Sequence, residues 1–207
     1  MKKQMWAIWR WLSAREPRPA SPVTSPSKGT LTTNTPHMPP EALGLRRIES
    51  RSHPGSYYYR NSIPPPLPDY PCIKGDALFT YHVFGASHYQ QQLERIAGGR
   101  REAAVYLRVN AVLSSEPDNP YDKNAMQILV NGEKVGYVRR EDNVSLRGQL
   151  NAAGITGDAQ CRAEIAGGWY RGAGDAGEFG LRLDLTLPLD VRPLPQRRDE
   201  GSIKHRH

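Results

Sequence analysis

Thirteen of the chain's 18 prolines fall in residues 1–75, and that skew divides the sequence before any other pattern is read. Proline fixes φ, removes a backbone donor and disfavours helix at the residue before it, so a proline-dense stretch resists both helices and sheet interiors. Residues 17–75 are also rich in Ser and Thr and run into Ile63-Pro64-Pro65-Pro66-Leu67-Pro68. They lack the apolar mass that would offset the entropy of ordering, which predicts a disordered linker of polyproline character. Within it, Tyr57-Tyr58-Tyr59-Arg60 offers aromatic faces that either pack on a neighbouring domain or stack on bases.

Ahead of the linker, residues 1–16 place Trp6, Trp9 and Leu12 three apart, which suits one face of a short basic helix. Such a helix either lies on a membrane or partner surface or docks on the domain. Arg10 interrupts the apolar run that a secretory signal needs, and no segment approaches the ~20 apolar residues of a membrane span. A cytoplasmic location without a membrane partner is expected. Cys72 and Cys161 have no CxxC partner and no nearby histidine pair, so free thiols and no zinc site are expected.

The net charge of +7 suggests a polyanionic partner, but its distribution narrows the inference. Residues 1–78 carry 11 Lys/Arg against 5 Asp/Glu, residues 79–187 carry 12 against 13, and residues 188–207 carry 5 against 3. The basicity sits in the flanks, including a polar tail over 189–207 that is expected to be disordered. A near-neutral centre excludes a broad phosphate-tracking groove and leaves recognition through a few placed contacts.

Residues 76–188 carry the folding signal. Phe79 to Gly85 alternates and ends in glycine, which predicts a strand. Ser87 is placed to cap a helix over His88–Ala97, closed by Gly98-Gly99. Ala103–Leu113 reads as a long strand. Ala125–Val130 and Lys134–Val138 read as a hairpin turned through Asn131-Gly132, the pair best suited to a tight turn. A second helix follows Asp142, with Val144, Leu146, Leu150 and Ala153 as its apolar positions. Cys161–Ile165 and Phe179–Leu187 alternate strongly. Six strands and two short helices with local connections predict a mainly β fold, a small antiparallel barrel between disordered arms.

Between two of those strands lies Asp118-Asn119-Pro120-Tyr121-Asp122-Lys123-Asn124-Ala125, rich in directed hydrogen-bonding groups and poor as core material. Asn119 and Asp122 also have the chemistry to bond their own backbone and shape the loop. Asp118, Asp122 and Asn124 lack the glycine and closing glutamate of a calcium loop, so no metal is expected. The chain has no Gly-x4-Gly-Lys-Ser/Thr, HExxH or Gly-x-Ser-x-Gly motif, and a binding protein without cofactor is expected rather than an enzyme.

Val83-Phe84-Gly85-Ala86-Ser87-His88-Tyr89-Gln90, Glu116 to Ala125, Gly132 to Val138 and Gly167-Gly168-Trp169 with Phe179-Gly180-Leu181-Arg182-Leu183 together resemble a HIRAN domain in order and spacing. The resemblance implies an oligonucleotide-binding (OB-like) barrel over 76–188 and, as in helicase-linked members, capture of the 3′ end of single-stranded DNA. It implies that Tyr121 and one of His88 or Tyr89 stack on bases, and that Asp122 accepts a hydrogen bond from the terminal 3′-hydroxyl. Asn119 would hold the terminal sugar or base edge, and Arg140, with or without Arg139, would meet a phosphate. Phe179 would close the pocket, and Tyr137 stands where a family member carries an imidazole. Ser87 occupies the place of an arginine in DNA-binding members, which predicts weaker binding. A second reading has the barrel or the Pro-rich arm recruiting a protein partner that processes DNA.

Overall fold

The structure is a computed structural model that describes residues 37–192. The short helix expected over 1–16, the first part of the linker and most of the tail lie outside the described residues. After a 3₁₀ turn at Pro40–Leu43 come strands β1 (Arg46–Glu49), β2 (Tyr57–Arg60), β3 (Cys72–Lys74) and β4 (Tyr81–His82). A 3₁₀ turn at Ala86–Tyr89 leads into helix α1 (Gln90–Ile96), then β5 (Val105–Ser115), β6 (Met126–Val130) and β7 (Glu133–Tyr137). A further turn at Arg140–Asp142 opens helix α2 (Asn143–Ala152), followed by β8 (Ala159–Gly167), β9 (Phe179–Asp184) and β10 (Asp190–Arg192).

The centre of the sheet follows from period-two alternation. Val105, Leu107, Ala111 and Leu113 of β5 point inward with Ala159, Cys161, Ala163 and Ile165 of β8 and Leu181 and Leu183 of β9. Leu93 and Ile96 of α1 and Leu146 and Leu150 of α2 join the same cluster. Burying side chains of this size contributes about 1.5–3 kcal/mol each. Asn131 and Gly132 both take positive φ, 52° and 79°, and turn β6 into β7 as their chemistry predicts.

The expected six-stranded antiparallel barrel, closed or nearly closed, is corrected in strand number and strand direction. Among the described residues the sheet has ten strands, it is mixed, and it does not close through a continuous ladder. The pairs β5–β6, β5–β8, β6–β7, β8–β9 and β4–β9 are antiparallel, but β2 runs parallel to β5 and β3 parallel to β8. Between the segment after β4 and β7 there is an isolated bridge, Phe84 with Tyr137, where a barrel would need a ladder.

The additional strands come from residues expected to be disordered. Prolines supply few backbone donors, so the segment over 61–71 is held mainly by side-chain amides of the folded sheet. Asn61 brackets Arg108, accepting from its N–H at 2.7 Å and donating to its carbonyl at 2.8 Å. The buried Gln160 accepts from Leu67 N–H at 2.7 Å and donates to the carbonyls of Leu67 and Tyr70 at 2.6 and 2.8 Å. Asn110 donates to the Pro65 carbonyl at 2.6 Å. The start of the expected tail likewise forms β10, paired with β3. Two local expectations also change: Ser87 sits inside the 3₁₀ turn with no side-chain cap bond, and Val144 is exposed.

Candidate functional site

The loop between β5 and β6 is closed at its base by Glu116 N–H donating to the Ala125 carbonyl at 2.9 Å. Asn119 then frames it. Its Oδ1 accepts from the N–H groups of Tyr121 and Asp122 at 3.0 and 3.2 Å, and its Nδ2 donates to Glu116 Oε2 at 2.7 Å. Asp122 Oδ1 accepts from Asn124 N–H at 2.9 Å. These side chains do the work of a short stretch of secondary structure. The Tyr121 side chain takes no part in that frame and stays 75% exposed at its tip.

Beside the loop lies an open groove of about 490 Å³, lined by Phe84, Tyr89, Tyr121, Asp122, Tyr137 and Arg140 among others. The Phe84–Tyr137 bridge, two backbone hydrogen bonds of 2.8 Å each, fixes one wall. Phe84 is 52% exposed, with the Arg139 guanidinium 5.5 Å from its ring centroid. Two aromatic faces therefore stand in water at the edge of a polar groove, an arrangement suited to stacking on planar ligands.

Two ionic clusters lie under these faces. Glu116 accepts from Lys134 Nζ, from Tyr137 Oη at 2.8 Å and from Asn119. The Lys134 donor, ahead of those from Asn119 and Tyr137, holds the Glu116 carboxyl below the usual range against the opposing effect of burial. The same pair raises Lys134. The second cluster centres on Asp122, whose Oδ2 accepts from Asn143 Nδ2 at 3.1 Å and lies 3.8 Å from Arg140 Nε. The Asn124 N–H, then Asn143, Arg140 and Arg147, hold this carboxyl low too. Asn143 is 3% exposed, and its Oδ1 has no hydrogen-bond partner among the described residues. A buried acceptor without a donor costs stability unless something supplies one.

The Glu116 cluster sets a pH dependence. Its folded pKa lies below the unfolded value of about 4.3, so the stability it contributes is present above that value and is lost as pH falls through the lower folded value. Glu116→Gln is expected to cost on the order of 1 kcal/mol near neutrality, with the difference from wild type closing in acid. Thermal unfolding between pH 7 and pH 3 checks this. A gap that stays constant across that range would show that the charge on Glu116 is irrelevant.

Of the residues singled out in the sequence, Tyr89, Asn119, Tyr121, Asp122, Tyr137 and Arg140 converge on the groove. Tyr137 and Tyr89 both line it. His88, one position earlier, is exposed and is not part of the lining. Phe179 is not part of the lining. It is 2% exposed, and its backbone is clasped by Gln90 through bonds of 2.7 and 2.9 Å. Its place at the head of the alternation Phe179, Leu181, Leu183 already assigns it to the core face. Phe84, Glu116 and Asn143 are groove residues that the sequence reading passed over. Phe84 had a signal, since its alternation partners Tyr81 and Val83 pack on the core and leave it outward.

A β-rich frame holding stacking faces around hydrogen-bonding groups defines a recognition module. Residues 78–165 match the family model of the HIRAN domain, and every groove residue lies inside that match. That stretch, less than half of the chain, is thus similar to HIRAN domains, a likeness that suggests nucleic-acid binding. Searches of curated proteins and of solved structures return no match.

Proposed function

We propose that the groove binds the 3′-hydroxyl end of single-stranded DNA, without catalysis. Tyr121 and Phe84 stack on the last bases, with Tyr89 and Tyr137 forming the groove floor. Asp122 accepts the hydrogen bond of the terminal 3′-hydroxyl, a charge-assisted bond of the stronger kind. Asn143 Oδ1 is a second acceptor beside it. Arg140, 77% exposed apart from its contact with Asp122, takes a phosphate. Asn119 serves mainly as the frame that aims Tyr121 and Asp122, and one Nδ2 hydrogen remains for a sugar or base edge.

The observation that carries this reading is the pairing of an exposed Tyr121 with a carboxylate held ionised beside an unsatisfied buried acceptor. Acceptors favour a hydroxyl donor and repel a terminal phosphate, so end chemistry is legible to this groove. Fluorescence anisotropy of the full chain on short oligonucleotides ending in 3′-hydroxyl or 3′-phosphate tests it. The phosphate is expected to weaken binding by about tenfold, or about 1.4 kcal/mol. Equal affinity for both ends would defeat end capture.

A further inference from the structure

Strands β1 and β2 lie outside the HIRAN match and form a hairpin with Arg46 opposite Arg60, Arg47 opposite Tyr59 and Ile48 opposite Tyr58. β2 then runs beside β5, with Tyr59 level with Val105 and Arg60 level with Tyr106. Side chains alternate across strands, so this register splits the tyrosine run. Tyr59 packs against the core, while Tyr58, Arg60, Arg46 and Tyr106 share the outer face. There Tyr58 and Tyr106 meet edge to face with centroids 5.2 Å apart. The Arg60 guanidinium lies 5.1 and 5.4 Å from their ring centroids, and its buried Nε has no hydrogen-bond partner among the described residues.

The charge is equally uneven. Residues 46–60 hold Arg46, Arg47, Arg51 and Arg60 against Glu49 alone, four minus one or +3. Elsewhere Arg95, Arg100, Arg171 and Arg182 each meet a carboxylate, but among the described residues none of the hairpin arginines is in an ion pair. Unpaired guanidinium groups set among aromatic faces offer phosphate contacts and stacking together, the combination that suits single-stranded nucleic acid.

We infer that the outer face of the β1–β2 hairpin, with Tyr106 of β5, is a second surface for single-stranded nucleic acid. Tyr58 and Tyr106 provide the stacking platform, and Arg46, Arg51 and Arg60 meet successive phosphates. β5 joins this surface to the groove, because its first residues carry Tyr106 and its end leads into the loop of Tyr121. Its eleven residues span roughly 35 Å, so only a strand of several nucleotides can occupy both places. The inference shares its ligand class with the groove reading but does not need end capture.

The test compares the full chain with an Arg46→Ser, Arg51→Ser, Arg60→Ser variant on thymidine oligomers of about three and about twelve nucleotides, within the range of OB-type site sizes. The variant is expected to lose about tenfold on the longer oligomer and nothing on the shorter. Each phosphate contact removed lowers the slope of log affinity against log salt by about 0.7. A uridine dodecamer is expected to show the same loss. Arg60→Lys, which keeps the charge but loses the planar face, is expected to keep the slope and lose part of the affinity. An unchanged dodecamer affinity and slope would overturn the inference, as would equal losses on both lengths. Binding of polyglutamate at the hairpin without any dodecamer loss would also overturn it. If the trimer fails to bind the wild type while the dodecamer still depends on the arginines, the groove reading falls and this one stands.

Discussion

Tyr121→Ala is expected to weaken binding of a short single strand by about 5- to 150-fold while leaving the fold intact. The magnitude follows from the ~1–3 kcal/mol that one aromatic stacking face contributes per base. The specificity of the test follows from local structure. Asn119 bonds the backbone N–H of Tyr121, not its ring, so truncation leaves Asn119, Asp122 and Asn124 in their hydrogen bonds. With the side chain 75% exposed, little packing is lost. Anisotropy titrations, with thermal unfolding of the same samples, separate the two effects. An unchanged affinity would remove stacking at Tyr121 from the account. A matching fall in stability would mean that the ring holds the loop and not the ligand.

The second large effect is expected at Gly136, which the tertiary structure makes irreplaceable. A Cβ there would come within 2.3 Å of Val83 Cγ1 and 2.7 Å of the Phe84 carbonyl oxygen, at a φ of +152° that side chains rarely adopt. Gly136→Ala must push the segment after β4 away from β7, and with it the Phe84–Tyr137 bridge that fixes the groove wall. Overpacking of this kind costs about 1–3 kcal/mol, and loss of the wall should lower affinity as well. A fall in Tm of about 5–10 °C is expected for a domain of this size. Gly148→Ala in α2 is the natural control, since its Cβ would meet nothing within 4 Å. It should raise stability by up to about 1 kcal/mol. If both variants behave alike, close approach is not what selects glycine at 136.

Much of the domain is legible because its signals are local. The alternation of Val105, Leu107 and Leu113 and of Leu181 and Leu183 reports which side of each strand meets the core. Asn131-Gly132 dictates a tight turn through backbone preference alone. The polar loop is legible for the same reason: Asn119, Tyr121 and Asp122 cannot be core, and their short-range hydrogen bonds need no distant partner. Alternation with Tyr81 and Val83 already turns Phe84 outward, but its place in the groove wall depends on a bridge to Tyr137, more than fifty residues later. Asn143 and Glu116 were hidden because a helix start and a strand end look alike whether or not they face a groove.

Residues 37–75 show where local reading stops. Their proline content argues against ladder hydrogen bonds, yet β1 and β2 pair with each other inside the segment, and over 61–71, where the prolines crowd, a chain of this composition has little reason to order by itself. What orders it is supplied from far away in sequence by Gln160 and Asn110 and by the Arg108 backbone, which satisfy the few polar groups the prolines leave. The amino-acid sequence by itself determined the inward faces of the central strands, the β6–β7 turn and the polar loop, because each rests on interactions within a few residues. Only the tertiary structure decided that β2 and β3 join the sheet in parallel, that Phe84 and Asn143 complete the groove, and that Tyr58 faces outward while Tyr59 is packed. Those outcomes depend on register between distant strands, and a shift of one residue would exchange the two faces.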